Sequence, residues 1–299
     1  MSSGVVTVIG SINMDLVTEA AQFPNKGETI LGKSFSTIPG GKGANQAVAS
    51  SKLGANVNLI GCVGNDAFAK TLNQHFETQG INTNYIEEAP GEPTGVASIT
   101  IAENDNHIIV VPGANHAVTP QLVEKYEHVI AASETILLQF EIPIESVEKA
   151  VELANKHGVR VILNPAPVQP ISISVMASVD YITPNEHELA VLLDDEEKKT
   201  FYEQNREKFV ITHGSKGVEY FENGQSHLVP GFSVKVVDTT GAGDSFNGAL
   251  AVALTRGDSL AEGCLFGNAV GALSVSKLGA QSGMPSKEEV EMFIQTKSV

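Results

Sequence analysis

Short apolar runs rich in β-branched residues alternate along the sequence with segments of helical hydrophobic periodicity. The predicted strands are Val5–Ile9, Val57–Val63, Ile136–Phe140, Val159–Leu163, Val179–Thr183 and Phe209–Thr212. The predicted helices are Gly43–Leu53, Ala67–Gln79, Pro120–Ala132, Ile144–His157, Asn185–Leu192, Gly241–Arg256, Leu260–Lys277 and Lys287–Gln295. Strands that alternate with helices form βαβ units, whose parallel sheet is covered on both faces. We therefore predict an α/β fold with a mostly parallel sheet flanked by helices.

Two stretches break this alternation, Leu16–Pro39 and Thr94–Val111. Both have short alternating patterns, with the turn sequences "PNKGE" and "ENDN" inside them. We predict a small inserted antiparallel β-lid over residues 13–39 and 94–111, against the alternative of a decorative hairpin. The main domain then comprises residues 1–12, 40–93 and 112–299. Because exposed strand edges favour pairing, we expect a homodimer through the lid.

Composition limits the kinds of partner that the chain can bind. The 299 residues carry 35 acidic and 19 basic side chains, a net charge of −16 that argues against nucleic acid. No apolar run approaches the roughly 18 residues of a membrane span, and the N-terminus lacks a basic export signal. Cys62 and Cys264 have apolar neighbours and no CxxC spacing, which is typical of buried free thiols. We expect a cytoplasmic protein with no membrane partner.

The segment "DTTGAGDSFNGAL", Asp238–Leu250, places two glycines where a helix begins. The first N–H groups of a helix lack intrahelical partners and carry partial positive charge. Gly241, Ala242 and Gly243 therefore predict an anion-binding nest. The Asp244 carboxylate follows this nest directly. Its position is explained if it accepts a proton from a hydroxyl that attacks the bound anion. The alternative is a tight turn with ordinary acidic residues at a helix start.

A second glycine-rich helix entry, "IPGGKGANQAVA", fits neither a Walker A loop nor a dinucleotide fingerprint. Its Lys42 and Asn45 suit a polyhydroxylated ligand that lies close to the backbone. Polar residues also follow two predicted strands, Asn13 and Asp15 after the first and Glu141 after the strand that ends at Phe140. Because open α/β sheets bind ligands at the carboxyl ends of their strands, these residues predict one crevice.

Two further strand ends carry polar motifs. In "TPNEHE", Asn185 and Glu188 lie on one helical face, where their oxygens suit a hydrated hard cation. In "THGSKG", Lys216 lies in a glycine-bounded turn that suits a nucleotide phosphate. The histidines have no HxH or HExxH spacing, which disfavours zinc, and the absence of GxSxG disfavours an α/β-hydrolase.

Over essentially its whole length, the chain resembles the pfkB-type carbohydrate kinase family. "PGGKGANQA" resembles the first signature of that family, and "DTTGAGDSFNGAL" resembles the second, in the same order. The resemblance implies ATP-dependent phosphorylation of a sugar. Within the family, "GSINMD" and "NPAP" favour members that act on D-ribose over those that act on fructose or adenosine.

The resemblance also implies roles for individual residues. Asp244 matches the catalytic base, and Gly241, Ala242 and Gly243 match the anion hole. The positions that match the sugar site are Asn13, Met14, Asp15, Gly41, Lys42, Gly43, Ala44, Asn45 and Glu141. Those that match the nucleotide site are Asn185, Thr212, His213, Gly214, Ser215, Lys216, Gly217, Gly243 and Asn268. Asn185 and Glu188 match a motif tied indirectly to Mg²⁺. A monovalent-cation site for K⁺ is implied at Asp238, Thr240, Ser274, Lys277, Gly279 and Gly283.

The sequence departs from the family pattern in two places. His213 stands where an apolar residue is common, and the stretch Leu193–Lys208 is short, so we expect a truncated surface helix there. The expected reaction converts D-ribose and ATP into D-ribose 5-phosphate and ADP. The alternatives are a kinase of deoxyribose, fructose or adenosine, and a non-catalytic sensor of sugar or nucleotide. An NAD-dependent enzyme would need the glycine fingerprint that this chain lacks.

Overall fold

The computed structural model describes residues 4–103 and 105–297. Residues 1–3 and 298–299, at the ends of the predicted main domain, lie outside the described residues, as does Asn104 of the predicted "ENDN" turn. Among the described residues, no helix is both long and apolar enough to cross a membrane.

Seven strands form the central sheet, and all of their pairings are parallel. These strands are β1 (Val5–Ile9), β4 (Asn56–Val63), β5 (Ile81–Asn82), β6 (Ile86–Glu88), β9 (Thr135–Leu138), β10 (Arg160–Leu163) and β11 (Tyr181–Ile182). The order is β11-β10-β9-β1-β4-β5, and β6 also pairs with β4. The parallel sheet predicted from the alternation of strands and helices is confirmed.

Most of the helices overlap the predicted segments, but the helix at Ile173–Ser178 was not predicted. The helices are α1 (Lys42–Lys52), α2 (Ala67–Thr78), α3 (Pro120–Lys125), α4 (Glu127–Ala131), α5 (Ile144–His157), α6 (Ile173–Ser178), α7 (Glu186–Leu192), α8 (Glu196–Gln204), α9 (Ala242–Thr255), α10 (Leu260–Ser274) and α11 (Lys287–Lys297). The predicted helix Pro120–Ala132 is divided at Tyr126, whose ring is buried and whose hydroxyl bonds to Glu87. The short stretch between Leu193 and Lys208 holds the nine-residue helix α8.

Apolar side chains fill both faces of the central sheet. Along β9, Ile136 and Leu138 pack into one core cluster and Leu137 into the other. The same alternation divides Ile9 from Val8 on β1. Because both faces are buried, these strands have continuous apolar sequences rather than an alternation of polar and apolar residues.

A four-stranded sheet, called here the outer sheet, contains both predicted insertions. Its strands are β2 (Asn13–Glu19), β3 (Ser34–Gly40), β7 (Gly95–Ala102) and β8 (Asp105–Val111), in the order β3-β2-β7-β8. The β2–β3 and β7–β8 pairings are antiparallel as predicted, but β2 and β7 pair in parallel. Strand β2 follows β1 in the chain, and β7 follows β6. Because β1 and β6 belong to the parallel central sheet, β2 and β7 leave that sheet in the same direction.

A separate three-stranded antiparallel sheet follows the central one. It consists of β12 (Val210–Thr212), β13 (Gly217–Glu222) and β14 (Gln225–Pro230). The prediction placed β12 among the parallel strands; within the described residues it belongs to the antiparallel sheet, and two isolated parallel bridges, from Phe209 to Ile182 and from Thr212 to Asn185, join it to the end of the central sheet. The sequence analysis missed β13 and β14, because their exposed face carries many polar residues.

Candidate active site

The candidate site lies where the central strands end. Because the strands are parallel, the segments after β1, β9, β10 and β11 emerge at one edge of the sheet. They bring together polar side chains that are far apart in sequence, and α1 and α9 begin at the same edge. The hydrogen bonds from α1 to Asp244 of α9 and to Glu141 after β9 confirm this convergence.

The N-terminus of α9 is open. Gly241, the N-cap, has a φ of 75°, and no side chain caps the helix. Ser245 N–H bonds to Gly241 O at 2.8 Å and Ala242 N–H approaches Thr239 O at 3.3 Å, whereas the N–H groups of Gly243 and Asp244 precede any intrahelical acceptor. A Cβ built on Gly243 would meet no atom within 4 Å. This helix entrance has the free N–H groups and open space that an anion requires.

Asp244 lies directly beside that entrance and is buried, with 6% of its surface exposed. Its Oδ2 accepts a hydrogen bond from Asn45 Nδ2 at 2.9 Å, and its Oδ1 accepts one from Gln46 Nε2 at 3.1 Å. Burial raises the pKa of the Asp244 carboxyl, while Lys42 and the two amides oppose that rise. A carboxyl with a raised pKa is a better proton acceptor than an ordinary aspartate.

The N-terminus of α1 is closed by the protein itself. Glu141 Oε2 accepts from Lys42 N–H at 3.0 Å, and Ser11 Oγ accepts from Gly43 N–H at 3.2 Å. Ser11 O accepts from Ala44 N–H, and Ser11 Oγ donates to Glu141 Oε2 at 2.5 Å. The N–H groups of this glycine motif are therefore already occupied, and the motif presents its side chains instead.

Lys42 is the cation of the site. Burial acts to lower its pKa, but the carboxylates of Asp244, Glu141 and Glu188 raise the pKa above its ordinary value. The lysine therefore stays protonated and faces several acids. Two other predicted sugar-site side chains, those of Met14 and Ala44, pack in the hydrophobic core, so only their backbone groups can face a ligand.

Asn13 and Asp15 lie on β2 at the edge of the same cleft. The Asp15 pKa is raised to about 7 by burial, by Glu141 and by Asp244. Asn13 Oδ1 accepts from Asn115 Nδ2 at 2.7 Å, so the amide nitrogen of Asn13 is the group left for a ligand. Asn13, Glu141 and Asn115 line a cavity of about 630 Å³ that also includes His116 and Gln169. The sequence analysis did not find Asn115, since a lone asparagine after a "PGAN" turn resembles any polar loop residue.

The predicted nucleotide residues lie around β12. Thr212 N–H bonds to Pro184 O at 2.9 Å, which ties this loop to Asn185. Asn268 on α10 donates through Nδ2 to Val229 O at 2.9 Å and to Pro230 O, so its amide nitrogen already holds β14. His213 lies between two carboxylates, 3.0 Å from Glu186 and 3.3 Å from Glu219. The remaining residues of that group, Gly214, Ser215, Lys216 and Gly217, form the turn between β12 and β13.

Asn185 and Glu188 form a capping box at the start of α7. Asn185 Oδ1 accepts from Glu188 N–H at 2.8 Å, and Glu188 Oε2 accepts from Asn185 N–H at 2.9 Å. Burial raises the Glu188 pKa, and both Lys42 and Asp244 influence it electrostatically. Glu188 therefore faces the α1–α9 region in addition to capping its helix.

The loop before α9 is tied to the loop after α10. Asp238 accepts from Thr240 N–H at 2.9 Å and from Gly279 N–H at 2.8 Å. The carbonyl oxygens of Ser274 and Gly279 lie 2.6 and 2.9 Å from the position of a Cβ built on Gly283. Gly279 O also accepts a hydrogen bond from Gly283 N–H at 2.9 Å, so glycine at position 283 allows the chain to turn back tightly onto this loop. The Lys277 ammonium instead pairs with Glu289 at the surface.

The family model of pfkB family carbohydrate kinases matches residues 5–287. The chain belongs to this family. A Bacillus subtilis relative named ribokinase is 42% identical over 289 residues, covering 97% of this chain and 99% of the relative. A ribokinase from Haemophilus influenzae is 41% identical and covers 97% of this chain and 98% of the relative.

Solved structures resemble the whole chain. A Thermotoga maritima ribokinase has a TM-score of 0.89 at 38% identity, covering 98% of this chain and 99% of its own. An Arabidopsis thaliana ribokinase in complex with ribose and ATP has a TM-score of 0.90 at 31% identity, with the same coverage. The fold expected from the family resemblance is confirmed.

Proposed function

We propose that this protein transfers the γ-phosphoryl group of ATP to the 5-hydroxyl of D-ribose, giving D-ribose 5-phosphate and ADP. The observation that carries the proposal is the position of Asp244, a buried carboxylate beside the free N–H groups at the start of α9. The similarity to proteins named ribokinase, at 42% and 41% identity over nearly the whole chain, supports ribose as the sugar.

In the transfer step, Asp244 accepts the proton of the 5-hydroxyl as the sugar oxygen bonds to the γ-phosphorus. The bond from that phosphorus to the bridging oxygen breaks, and ADP leaves with its electron pair. Because the transition state is loose, positioning matters more than base strength, and proton transfer comes late. The Gly241–Gly243 amides stabilise the charge on the phosphoryl oxygens.

The sugar end of the site is acidic and amide-rich, which suits the hydroxyl groups of a pentose. Carboxylates of Asp15 and Glu141 accept hydrogen bonds from hydroxyls, and the amide nitrogens of Asn13 and Asn45 donate, because their oxygens already accept from Asn115 and Gln281. Lys42 balances part of this negative charge. Gly41 and Gly43 contribute by letting α1 begin close to the β1 end, where Gly41 has a φ of 89°.

The nucleotide end lies along the loop between β12 and β13. The Arabidopsis thaliana complex with ribose and ATP supports ATP as the phosphoryl donor. The residues assigned to this end are Thr212, His213, Gly214, Ser215, Lys216 and Gly217, together with Asn185, Gly243 and Asn268. Lys216 offers a positive charge to the phosphates, and Asn268 keeps β14 in place beside them.

Mg²⁺ would be held through Asn185 and Glu188, chiefly by way of water. Mg²⁺ keeps several waters and needs only one or two protein oxygens besides substrate phosphates. Asn185 and Glu188 each bond to the other's backbone N–H, which keeps their side-chain oxygens together at the start of α7. When bound, the ion neutralises phosphate charge.

K⁺ would be held in the loops around Asp238, Thr240 and residues 274–283. The backbone oxygens of Ser274 and Gly279 both lie near Gly283, and Gly279 O keeps a second lone pair besides its bond from Gly283 N–H, which supports a cation coordinated by backbone oxygens. Lys277 contributes its backbone, since its ammonium pairs with Glu289. When bound, K⁺ orders the loop that leads into α9.

The outer sheet would act as a lid over the sugar, with residues 13–39 and 94–111 as one domain and the rest as the other. Strand β8 is exposed along its whole length, with Ile108 at 51% and Ile109 at 69% exposure. Such an edge favours pairing with a second copy, so we infer a homodimer through this sheet.

The two buried, unpaired cysteines, Cys62 and Cys264, fit a reducing compartment such as the cytoplasm.

A coupled ADP-release assay over ribose, deoxyribose, fructose and adenosine tests the function. The expected result is the highest kcat/KM with ribose, and parallel assays in potassium and sodium test the monovalent site. A preference for another acceptor would assign a different kinase specificity. Ribose binding without ADP release would make the protein a sensor.

A further inference from the structure

Both oxygens of the Asp244 carboxylate are held by amides of α1. Asn45 Nδ2 donates to Oδ2 at 2.9 Å, and Gln46 Nε2 donates to Oδ1 at 3.1 Å. Asp244 and Asn45 are each 6% exposed, and Gln46 is fully buried. The carboxylate therefore has one oxygen on the side of Asn45, a sugar-site residue, and one oxygen enclosed by Gln46.

The Gln46 amide can adopt only one orientation. Its Nε2 also donates to Asn164 Oδ1 at 3.2 Å, and its Oε1 accepts from Gln139 Nε2 at 2.5 Å. If the amide were reversed, its oxygen would face two acceptors and its nitrogen would face a donor. Asn164, whose own amide is fixed by the bond from its Nδ2 to Thr183 O, thus ensures that Gln46 presents an N–H group to the base.

The same chain of hydrogen bonds reaches the anion-binding end of α9. Asn164 Nδ2 donates to Thr183 O at 3.1 Å, and Thr183 Oγ1 donates to Asn247 Oδ1 at 2.5 Å. Asn247 Nδ2 donates in turn to Gly243 O at 2.8 Å. Buried side chains after β10 and β11 therefore connect the carboxylate, through Gln46, to the first turn of the helix that carries it.

We propose that Gln46 is a positioning residue for phosphoryl transfer, which fixes Asp244 so that Oδ2, beside Asn45, takes the proton. This inference rests on the proposed function. A neutral amide suits the task because it stabilises the carboxylate in a buried place and offers no proton of its own to the base. The Gln139–Gln46–Asn164 amides keep that donor in place during each turnover.

The test is the pH profile of Gln46→Glu, an isosteric change. The introduced carboxyl and that of Asp244 would then be adjacent and would share one proton. At pH 8 we expect kcat to fall by about 10-fold or more, with the KM for sugar changed by less than about 3-fold, since the base is misplaced and the sugar contacts are kept. Activity should recover toward acid pH as the introduced carboxyl gains a proton and becomes a donor, whereas wild-type activity falls toward acid pH.

Ser50→Ala is the matched control. Ser50 is fully buried on the same helix, and its Oγ donates to Gln46 O and to Gly248 O without touching the carboxylate. We expect a wild-type pH profile from this variant. If Gln46→Glu loses thermal stability together with a loss of kcat that does not depend on pH, Gln46 has only a structural role and the proposal is wrong.

A second readout does not depend on activity. The side-chain amide resonances of Gln46 should titrate with Asp244 in the wild type and should not titrate in Asp244→Asn. If the wild type phosphorylates no sugar, the proposed function fails while this titration still tests the contact. If the wild type is a sugar kinase and the Gln46 resonances do not titrate, the positioning role is overturned.

Discussion

The two glycine-rich helix entrances, at α1 and at α9, differ in what occupies their N–H groups. At α1, Glu141 and Ser11 accept from the N–H groups of Lys42 and Gly43. At α9, no side chain caps the helix, and Gly243 is exposed. Both helices therefore begin after a glycine with positive φ, and only α9 has free N–H groups whose partial positive charge can face an anion.

The difference divides the work of the site between the two helices. Since its entrance is closed by Glu141, α1 contributes side chains, of which Asn45 and Gln46 both donate to the Asp244 carboxylate. Helix α9 contributes its backbone N–H groups and one carboxylate. A glycine motif in the sequence does not by itself indicate an anion site. A carboxylate from elsewhere in the chain can accept the hydrogen bonds of its N–H groups.

The largest expected effect comes from replacing the carboxylate at the open entrance. Asp244→Asn should lower kcat by about 10²–10⁴-fold, because the amide cannot accept the proton. The KM for sugar should change little, and steady-state kinetics with the preferred sugar checks this. The amide oxygen can keep the hydrogen bond from Asn45, while the new NH2 group faces the Gln46 N–H, so thermal unfolding of the variant is the control for a change in stability. A variant with near wild-type kcat would rule out Asp244 as the base.

The next effect comes from adding one methyl group at the second helical position of each entrance. In Gly43→Ala, the new Cβ would lie 2.6 Å from Gly10 C and from Ser11 N, which are backbone atoms that cannot move aside. We expect a loss of about 3 kcal/mol or more in the free energy of unfolding. Urea denaturation measures this change.

Gly243→Ala is the counterpart at α9. Its Cβ would meet no protein atom within 4 Å, and Gly243 is within a helix, so stability should be equal or slightly higher. The methyl group would enter the open space at the anion site and lower kcat by about 10²-fold. If both alanine variants lost stability alike, the contrast between a closed and an open entrance would not hold.

Much of the fold could be predicted because the physical signals were local. The strands buried on both faces have continuous apolar sequences, and the α2 and α5 helices have strong periodicity. The β13–β14 hairpin was missed because its alternation is interrupted by polar residues such as Glu219 and Gln225. The parallel pairing of β2 with β7 depends on the direction in which each strand leaves the central sheet, which no local pattern encodes.

The candidate site was predicted from its two glycine motifs, but the contacts that organise it were not. Asn115 contacts Asn13 across 102 positions in sequence, and Gln46 contacts Asp244 across 198. The available signal was a polar side chain inside an otherwise small and apolar helical segment, "ANQAVA". That pattern indicates a buried polar contact without naming its partner.

The smallest expected effect concerns the influence of Glu141, the carboxylate that accepts from Lys42 N–H at the start of α1, on the pKa of Asp15. The Asp15 pKa is raised to about 7 by burial, by Glu141 and by Asp244, so Glu141 acts on the sugar site as well as on the helix entrance. As pH rises through about 7, Asp15 loses its proton and becomes a better acceptor for sugar hydroxyls. We expect kcat/KM for ribose to rise by several-fold over this range, about as much as one gained hydrogen bond gives.

Two substitutions separate this effect from the titration of Asp244. Asp15→Asn should remove the rise near pH 7 while leaving the acidic limb of kcat, and Glu141→Gln should move the rise to lower pH.

The pH dependence of the free energy of unfolding tests the same Asp15 pKa independently. Folded Asp15 keeps its proton between the ordinary value of 3.8 and about 7, where the unfolded chain does not, so stability should fall as pH rises through that window. Thermal unfolding at pH 5 and pH 8 measures this loss of stability, which should be smaller in Asp15→Asn than in the wild type. An equal loss in both proteins would exclude a raised Asp15 pKa.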